Sequence, residues 1–186
     1  MNQAHLDFLV TDEWREALRD WILPYALEDA ELGDNVLEIG SGPGLTTDLF
    51  RDRFAHLTAV ELDPDLADAL RSRLVGTNVE VVTADATDMP FEADRFSGAV
   101  SFTMLHHVPT PALQDKLFAE VARVLQPGGT FVASDSLGSD ELRAFHDGDV
   151  YNPVDPAGAE ARMRAAGFVD VSVKSNEFGW AARAIA

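Results

Sequence analysis

Three glycines that follow a short apolar run have the residue type and spacing best suited to hold a ligand. Residues 36–39 are Val-Leu-Glu-Ile, which is typical of a buried parallel strand, and Gly40, Gly42 and Gly44 come directly after them. Glycine tolerates positive φ angles and lets a ligand lie against the backbone, and the helix predicted from residue 45 offers free N–H groups at its start. We therefore expect a ligand at the carboxyl end of this strand, where open α/β sheets bind their ligands.

Three carboxylates lie within or directly after predicted strands. Glu38 lies in the first apolar strand. An unpaired buried carboxylate would be costly there, so we expect N–H groups of the glycine turn or a cationic group of the ligand to bind it. Glu61 ends the second predicted strand and Asp85 follows the third. Each of these two either contacts the ligand or is a solvated strand end.

The histidines allow two interpretations. His106 and His107 follow the fourth predicted strand, and because histidine titrates near neutral pH either of them could act as a general base. Alternatively, the pair shapes the loop and caps neighbouring backbone groups. His5, His56 and His146 have no metal-ligand spacing, and the chain has no cysteine. The sequence therefore predicts no metal site and excludes thiolate chemistry.

The segments that position these residues alternate between strand and helix. Strands are predicted at 36–39, 57–61, 79–83, 96–101 and 130–134, and helices at 45–54, 63–76, 111–125 and 157–166. This alternation predicts a parallel sheet with right-handed crossovers. Two further strands, 169–173 and 178–182, are joined only by residues 174–177. So short a link cannot hold a crossover and predicts an antiparallel hairpin.

A helical segment precedes the sheet. Apolar residues recur at helical spacing over 12–23, and Pro24 is expected to kink or end this helix. The simpler interpretation is a helix packed on the sheet. The functional interpretation is a lid over the ligand, with Trp14, Trp21 and Tyr25 facing it.

Length and composition limit the class of protein. The chain has 186 residues, which predicts one domain, and its net charge is −18 from 32 acidic and 14 basic residues. Nucleic acid is therefore not expected as a partner, because binding a phosphate backbone needs a basic surface. The acidic surplus fits either a high-salt cytoplasm or a genome that favours Arg and Ala. No apolar run approaches the ~20 residues of a membrane helix, and the first residues lack a secretory signal, so a cytoplasmic protein is predicted.

The ordered set of motifs resembles the class I S-adenosylmethionine-dependent methyltransferases, in particular their small-molecule, methyltransferase type 11-like branch. The resemblance covers roughly residues 33–184. It rests on the glycine motif at 38–44, the acidic Glu61 and Asp85, the segment 101–108 and the turn 125–129. It implies one domain over 1–186, with 1–32 as a helical segment and 33–186 as the core. The implied fold is an α/β, Rossmann-like, doubly wound sheet of seven strands in the order 3-2-1-4-5-7-6, mostly parallel with an antiparallel C-terminal hairpin.

The resemblance also implies S-adenosylmethionine as the cofactor. The methionine part would lie on the glycines, Glu61 would accept the ribose hydroxyls, and Asp85 would accept the adenine amino group beside the Ala86 N–H. Leu62 and Met104 would flank the cofactor. The full set of implied cofactor-binding residues is Glu38, Gly40, Ser41, Gly42, Gly44, Glu61, Leu62, Asp85, Ala86, Ser101, Phe102 and Met104.

The implied reaction is in-line methyl transfer to a small-molecule or lipid-like acceptor. The loop 136–156 follows the fifth strand at the same edge of the sheet, so it is expected to face the acceptor. A base is needed only for an acceptor that must lose a proton. The candidate bases are His106, His107, Asp135, His146 and Tyr151.

Two other functions are weighed against this one. A nicotinamide-dependent oxidoreductase would carry the spacing Gly-x-Gly-x-x-Gly, whereas the glycines here fall at 40, 42 and 44 with Leu45 next. A non-catalytic S-adenosylmethionine-binding protein would have the same cofactor-binding residues. Those residues do not indicate whether a methyl acceptor binds. The residues do not select an oligomeric state.

Overall fold

The computed structural model describes all residues, 1–186, and contains a single seven-stranded sheet in the order β3-β2-β1-β4-β5-β7-β6. The first five strands are parallel to one another, and β7 is antiparallel to both β5 and β6. The predicted strand order and terminal hairpin are therefore confirmed. The strands are β1 (Asn35–Ile39), β2 (His56–Glu61), β3 (Val79–Thr83), β4 (Phe96–Phe102), β5 (Leu125–Ser136), β6 (Asp170–Ser175) and β7 (Gly179–Ile185).

Eight α-helices accompany the sheet. They are α1 (Gln3–Phe8), α2 (Asp12–Ala17), α3 (Leu23–Ala26), α4 (Leu45–Phe50), α5 (Pro64–Arg73), α6 (Pro111–Val124), α7 (Asp140–Phe145) and α8 (Pro156–Ala165). The four helices predicted between and after the strands form, although α4 ends earlier than expected. The sequence pattern missed α1 and α7, because a six-residue helix is too short to display a 3.6-residue repeat. No helix of this structure has the length and apolar character needed to cross a membrane.

Both faces of the sheet are buried, which explains why its central strands are apolar throughout. Leu37 and Ile39 pack in a large apolar cluster with α6 and α8, whose members include Phe118 and Met163. Val36 faces the other way and packs in a second cluster with α3 and α4, as does Phe50. Successive side chains of one strand point to opposite faces of the sheet and therefore pack in two different apolar clusters.

The segment expected to kink or end at Pro24 continues as helix on both sides of it, with an irregular turn just before the proline. A π-helical turn, Leu18–Ile22, joins α2 to α3, and the Leu23 N–H bonds the Leu18 carbonyl. Pro24 lies in the first turn of α3, directly after the π-helical turn, so the chain accommodates its missing N–H by a local change of helix type rather than by ending the helix.

The turn after β1 needs its glycines for two different reasons. Gly40 has a φ of 74°, and a Cβ there would lie 2.1 Å from Cγ of Met104, at the place where a ligand was expected. Gly44 has a φ of 90°, and its Cβ would lie 2.3 Å from Cδ1 of Leu70 on α5. Gly44 is therefore required by helix packing rather than by the ligand-facing surface.

A buried side-chain pair connects β1 to the helix after the turn. Glu38 is only 3% exposed, and Oγ1 of Thr47 on α4 donates to its Oε2 at 2.6 Å. Thr47, rather than an N–H group of the turn, is thus its partner in this structure. Burial raises the pKa of Glu38 to about 7, since the Thr47 hydrogen bond only partly opposes the cost of desolvating a charge.

Replacing Gly98 by Ala should destabilise the sheet. A Cβ at Gly98 would lie 2.4 Å from the backbone oxygen of Leu32, which cannot rotate away. We expect Gly98→Ala to lower the free energy of unfolding by about 2 kcal/mol or more, measured by urea denaturation. The matched control is Gly158→Ala on α8, where a Cβ meets nothing within 4 Å. The control should be neutral or stabilising by up to about 1 kcal/mol, and equal stability of the two variants would contradict the packing argument.

Replacing Glu38 by Gln should remove a pH dependence of stability. The carboxyl has a reference pKa of 4.5 and a folded-state pKa of about 7. Between these values the folded chain holds a proton that the unfolded chain has released. Stability is therefore full below the lower value and falls as the pH rises to the upper one, by about 3 kcal/mol. Urea denaturation across this window should show the fall in the wild type and in the exposed control Glu80→Gln. A fall that persists in Glu38→Gln would contradict the assignment.

Candidate active site

A cavity of about 480 Å³ opens at the carboxyl ends of β1 to β4, where the glycine turn predicted a ligand. Its walls come from the turn after β1, the ends of β2, β3 and β4, the start of α6, the N-terminal segment and the loop after α7. The lining residues are Met1, Leu9, Trp14, Gly40, Ser41, Gly42, Pro43, Leu45, Thr46, Val60, Glu61, Leu62, Asp63, Leu66, Ala84, Asp85, Ala86, Thr87, Phe102, Thr103, Met104, His107, Val108, Pro109, Leu113, Leu117, Asp149 and Val150.

Glu61 is the carboxylate that the backbone holds most firmly in this cavity. Its Oε2 accepts the Gly42 N–H at 2.7 Å and its Oε1 accepts the Asp63 N–H at 2.9 Å. A carboxylate has about four acceptor positions, so each oxygen retains one for a ligand. Glu61 is 7% exposed, so a hydroxyl group that enters the cavity meets an oriented, desolvated acceptor.

The end of β3 offers a second carboxylate in a more open position. One oxygen of Asp85 accepts the Thr87 N–H at 2.8 Å, which shapes the turn. The other oxygen makes no hydrogen bond, and Asp85 is exposed to solvent. Leu62 is 67% exposed although it is apolar, and it lies beside the cavity. A flat ring bound between Leu62 and Asp85 would cover an apolar side chain and gain an acceptor.

The end of β4 bends sharply where it meets the cavity. Thr103 has a φ of 50°, which a β-branched residue rarely adopts, and its N–H donates to the Ser134 carbonyl at 2.8 Å. This bend turns Met104 back over Gly40. Next to Gly40, Oγ of Ser41 is buried without a hydrogen-bond partner. A polar atom left unmatched at a cavity wall indicates a ligand that matches it.

The structure brings most of the predicted cofactor residues to this cavity. All of them line it except Glu38, Gly44 and Ser101. Glu38 is bonded to Thr47 instead, and Gly44 packs on Leu70. Ser101 is fully buried in β4, and its hydroxyl has no partner.

Several lining residues were not predicted as part of the site. Leu113 and Leu117 come from α6 and show the i, i+4 spacing of one helix face. Asp149 and Val150 belong to the loop that was expected to face an acceptor, and they do line the cavity. Of the three aromatic residues considered for a lid, only Trp14 lines it. Trp21 is 76% exposed and Tyr25 packs on the second apolar cluster.

The five predicted bases lie close together, but only His107 lines the cavity. His106 Nδ1 is 2.7 Å from Oδ1 of Asp135, and the His106 N–H donates to Oδ2 of the same carboxylate at 3.0 Å. His146 Nε2 is 3.1 Å from His106 Nε2, and the His146 ring stacks on Tyr151 at 4.6 Å. His106, Asp135 and His146 are therefore a buried network behind the cavity wall.

His5 extends this group from the opposite end of the chain. Its ring lies 5.0 Å from that of His107 and 4.7 Å from that of His146. Burial, together with the neighbouring imidazoles, lowers the pKa of His5 to about 4 and that of His107 to about 3. Both rings are thus neutral at neutral pH.

Comparisons with known proteins identify the family of this chain. Residues 37–133 match the family model for a methyltransferase domain. Demethylmenaquinone methyltransferase of Clavibacter sepedonicus is 33% identical over 120 residues, which are 64% of this chain and 45% of that protein. A sterol 4-C-methyltransferase of Caenorhabditis elegans is 34% identical over 116 residues, which are 59% of this chain and 34% of that protein. This chain thus spans less than half the length of either relative.

A solved structure shows the same fold along the whole chain. The S-adenosylmethionine-dependent methyltransferase from Aquifex aeolicus superimposes with a TM-score of 0.74 and 15% identity, covering 100% of this chain and 98% of that one. The family match covers just over half of this chain and includes the glycine turn, Glu61 and Asp85. The resemblance noted in the sequence is therefore confirmed, and this chain belongs to the methyltransferase domain family, within the class I S-adenosylmethionine-dependent methyltransferases.

Proposed function

We propose that this chain transfers a methyl group from S-adenosylmethionine to a small-molecule or lipid-like acceptor by in-line displacement. The observation that carries the proposal is the Glu61 carboxylate, which faces the cavity with one acceptor position free on each oxygen. Two adjacent hydroxyl groups of a ribose match two such positions. The proposal covers the chain as a single domain over 1–186.

The remaining lining residues fit the other parts of S-adenosylmethionine. Gly40 and Gly42 leave a wall without side chains for the methionine portion, and the unpartnered Ser41 Oγ offers that portion a hydrogen bond. Asp85 and the Ala86 N–H suit the adenine edge, with Leu62 against the ring face. Met104 covers Gly40 and completes this wall.

The protein's own contribution to the reaction is alignment and exclusion of water. The bound sulfonium would supply an already activated methyl group. The residues then have to hold donor and acceptor in line, which is worth several kcal/mol of the barrier. The backbone hydrogen bonds of Glu61 and Thr103 fix the donor side before any ligand binds.

The acceptor would enter between the N-terminal segment and the loop after α7. The N-terminal segment, α6 and the loop after α7 contribute apolar residues to the lining, which are Leu9, Trp14, Leu113, Leu117 and Val150. An apolar wall favours a lipid-like or aromatic molecule, and the two relatives described above are named for a quinone precursor and a sterol. A net charge of −18 disfavours a nucleic acid. We place the protein in the cytoplasm, as the sequence predicted.

We retain His107 alone among the predicted bases as a group that faces the acceptor, because it alone lines the cavity. Tyr151 and the three buried groups behind the wall, His106, Asp135 and His146, act at most as positioning residues. Glu38 and Ser101 are likewise retained only as supports for the turn and for the end of β4.

Ligand binding separates this proposal from a nicotinamide-dependent oxidoreductase. We expect S-adenosylmethionine and S-adenosylhomocysteine to bind with dissociation constants on the order of micromolar, about −8 kcal/mol, and NAD not to bind measurably. Isothermal titration calorimetry with all three ligands on the full chain tests this. Binding of NAD without either of the other two would refute the proposal.

The substitution Glu61→Gln should weaken binding through the ribose. A hydrogen bond to a charged group contributes about 1.5–3 kcal/mol, so we expect S-adenosylhomocysteine to bind roughly ten- to a hundredfold more weakly. The matched control is Glu80→Gln on β3, which lies outside the cavity and should bind as the wild type does.

A second ligand distinguishes ribose contact from a disturbed glycine turn. S-adenosylhomocysteine lacking the ribose 2′- and 3′-hydroxyl groups should lose affinity for the wild type and lose little more for Glu61→Gln, because the shared interaction is already absent. Equal, additive losses in the two steps would show that Glu61 acts only on the turn.

A further inference from the structure

Four histidines from three separate segments lie together beside the cavity. They are His5 on α1, His106 and His107 in the 3₁₀ turn Leu105–His107, and His146 at the end of α7. Each histidine offers one ring nitrogen, and these four nitrogens all lie within 4.8 Å of one another. We propose that these four imidazoles bind one divalent transition-metal ion of the zinc type.

The two closest nitrogens have the spacing of two ligands of one ion. His106 Nε2 and His146 Nε2 are 3.1 Å apart. In a tetrahedral zinc site with Zn–N bonds of about 2.0–2.1 Å, ligand nitrogens lie roughly 3.3 Å apart. The ligand nitrogens of all four rings lie within 4.8 Å of one another, so the other two have to move closer by up to roughly 1.5 Å to complete the set.

The hydrogen bonds at Nδ1 of His106 and of His146 leave the lone pairs of their two Nε2 atoms facing each other. His146 Nδ1 lies 2.6 Å from the Leu142 carbonyl, which can only accept, so Nδ1 carries the proton. His106 Nδ1 lies 2.7 Å from Asp135 Oδ1 and carries its proton for the same reason. In neutral rings both Nε2 atoms are then unprotonated, and two facing lone pairs require a cation between them. Carboxylate or carbonyl partners behind an imidazole are the usual support of a metal-binding histidine.

The other two histidines each hold a buried nitrogen without a partner. His5 Nδ1 and His107 Nε2 make no hydrogen bond, and the nearest charged atom to His5 Nδ1, Oδ2 of Asp149, is 3.9 Å away. Leaving a buried polar atom unmatched costs about 1–3 kcal/mol. Two such atoms in one cluster, beside two facing lone pairs, are accounted for together by a single ion.

The ligand set selects the class of ion. Imidazole nitrogens suit Zn²⁺, Cu²⁺, Ni²⁺ and Fe²⁺, whereas Mg²⁺ and Ca²⁺ prefer oxygen ligands. His107 lines the solvent-connected cavity, which gives the ion a path to the site. Bound there, the ion would link α1, the turn after β4 and α7. His107 would then face the acceptor as a metal ligand rather than as a general base.

The test uses tag-free full chain, treated with chelator and titrated with ZnCl₂ by calorimetry, with metal content measured after dialysis. We expect one Zn²⁺ per chain, no binding of Mg²⁺, and a rise in thermal stability with Zn²⁺. His5→Asn and His107→Asn should each weaken Zn²⁺ binding at least tenfold. They are chosen because neither breaks a hydrogen bond present in the structure. His56→Asn removes the only histidine outside the cluster and should bind Zn²⁺ as the wild type does.

Three outcomes would overturn the proposal. They are no Zn²⁺ uptake by the folded wild type, undiminished uptake by His5→Asn and His107→Asn, and a loss with His56→Asn equal to theirs. Circular dichroism and urea denaturation of each variant ensure that weaker binding is not simply unfolding. Zn²⁺ binding is measured without methyl transfer, so a failure of either proposal would be recognised separately.

Discussion

The carboxylate of Glu61 is the interaction on which the rest of the site depends. It accepts one N–H from the turn after β1 and one from the turn after β2, so a single buried side chain ties together two adjacent strand ends. Hydrogen bonds to a carboxylate are stronger than those between neutral groups. The Gly40 and Ser41 N–H groups add bonds of 2.9 and 3.2 Å to the Val60 carbonyl. The ligand-facing backbone is therefore rigid on this side.

The opposite side of the cavity is built differently. It consists of α1, the 3₁₀ turn Leu105–His107 and the loop after α7, which are joined to one another by hydrogen bonds that lie outside the sheet. Asn2 exemplifies this, because its N–H donates to Asp149 Oδ2 at 2.8 Å and its side chain donates to the Phe145 carbonyl at 3.0 Å. The histidine cluster lies at the same junction. One wall thus suits an invariant ligand such as a cofactor, and the other can vary with the acceptor.

Sequence patterns predicted the parts of the fold that depend on local chemistry. Apolar runs marked every strand, and the short link at 174–177 marked the hairpin. The failures have physical causes. The turn 125–129 was expected to precede β5, yet β5 begins at Leu125, because Leu125 pairs with Phe96 on β4 and Gly128 and Gly129 exchange backbone hydrogen bonds with Ala186. The partner of Glu38 was missed, since a threonine nine positions later reaches it only once α4 folds back.

The sequence by itself determined which end of the sheet binds the ligand. The glycines directly follow one predicted strand and Glu61 ends the next, so their positions in the chain indicate their roles. The tertiary structure decided which polar groups meet across long separations. His5 and His146 have no ligand spacing in the chain and contact one another only because α1 and α7 dock at the same edge of the sheet. The same docking moved His106, Asp135 and His146 behind the wall and left His107 at the cavity. Burial and proximity of this kind are set by packing between distant segments, which no local pattern records.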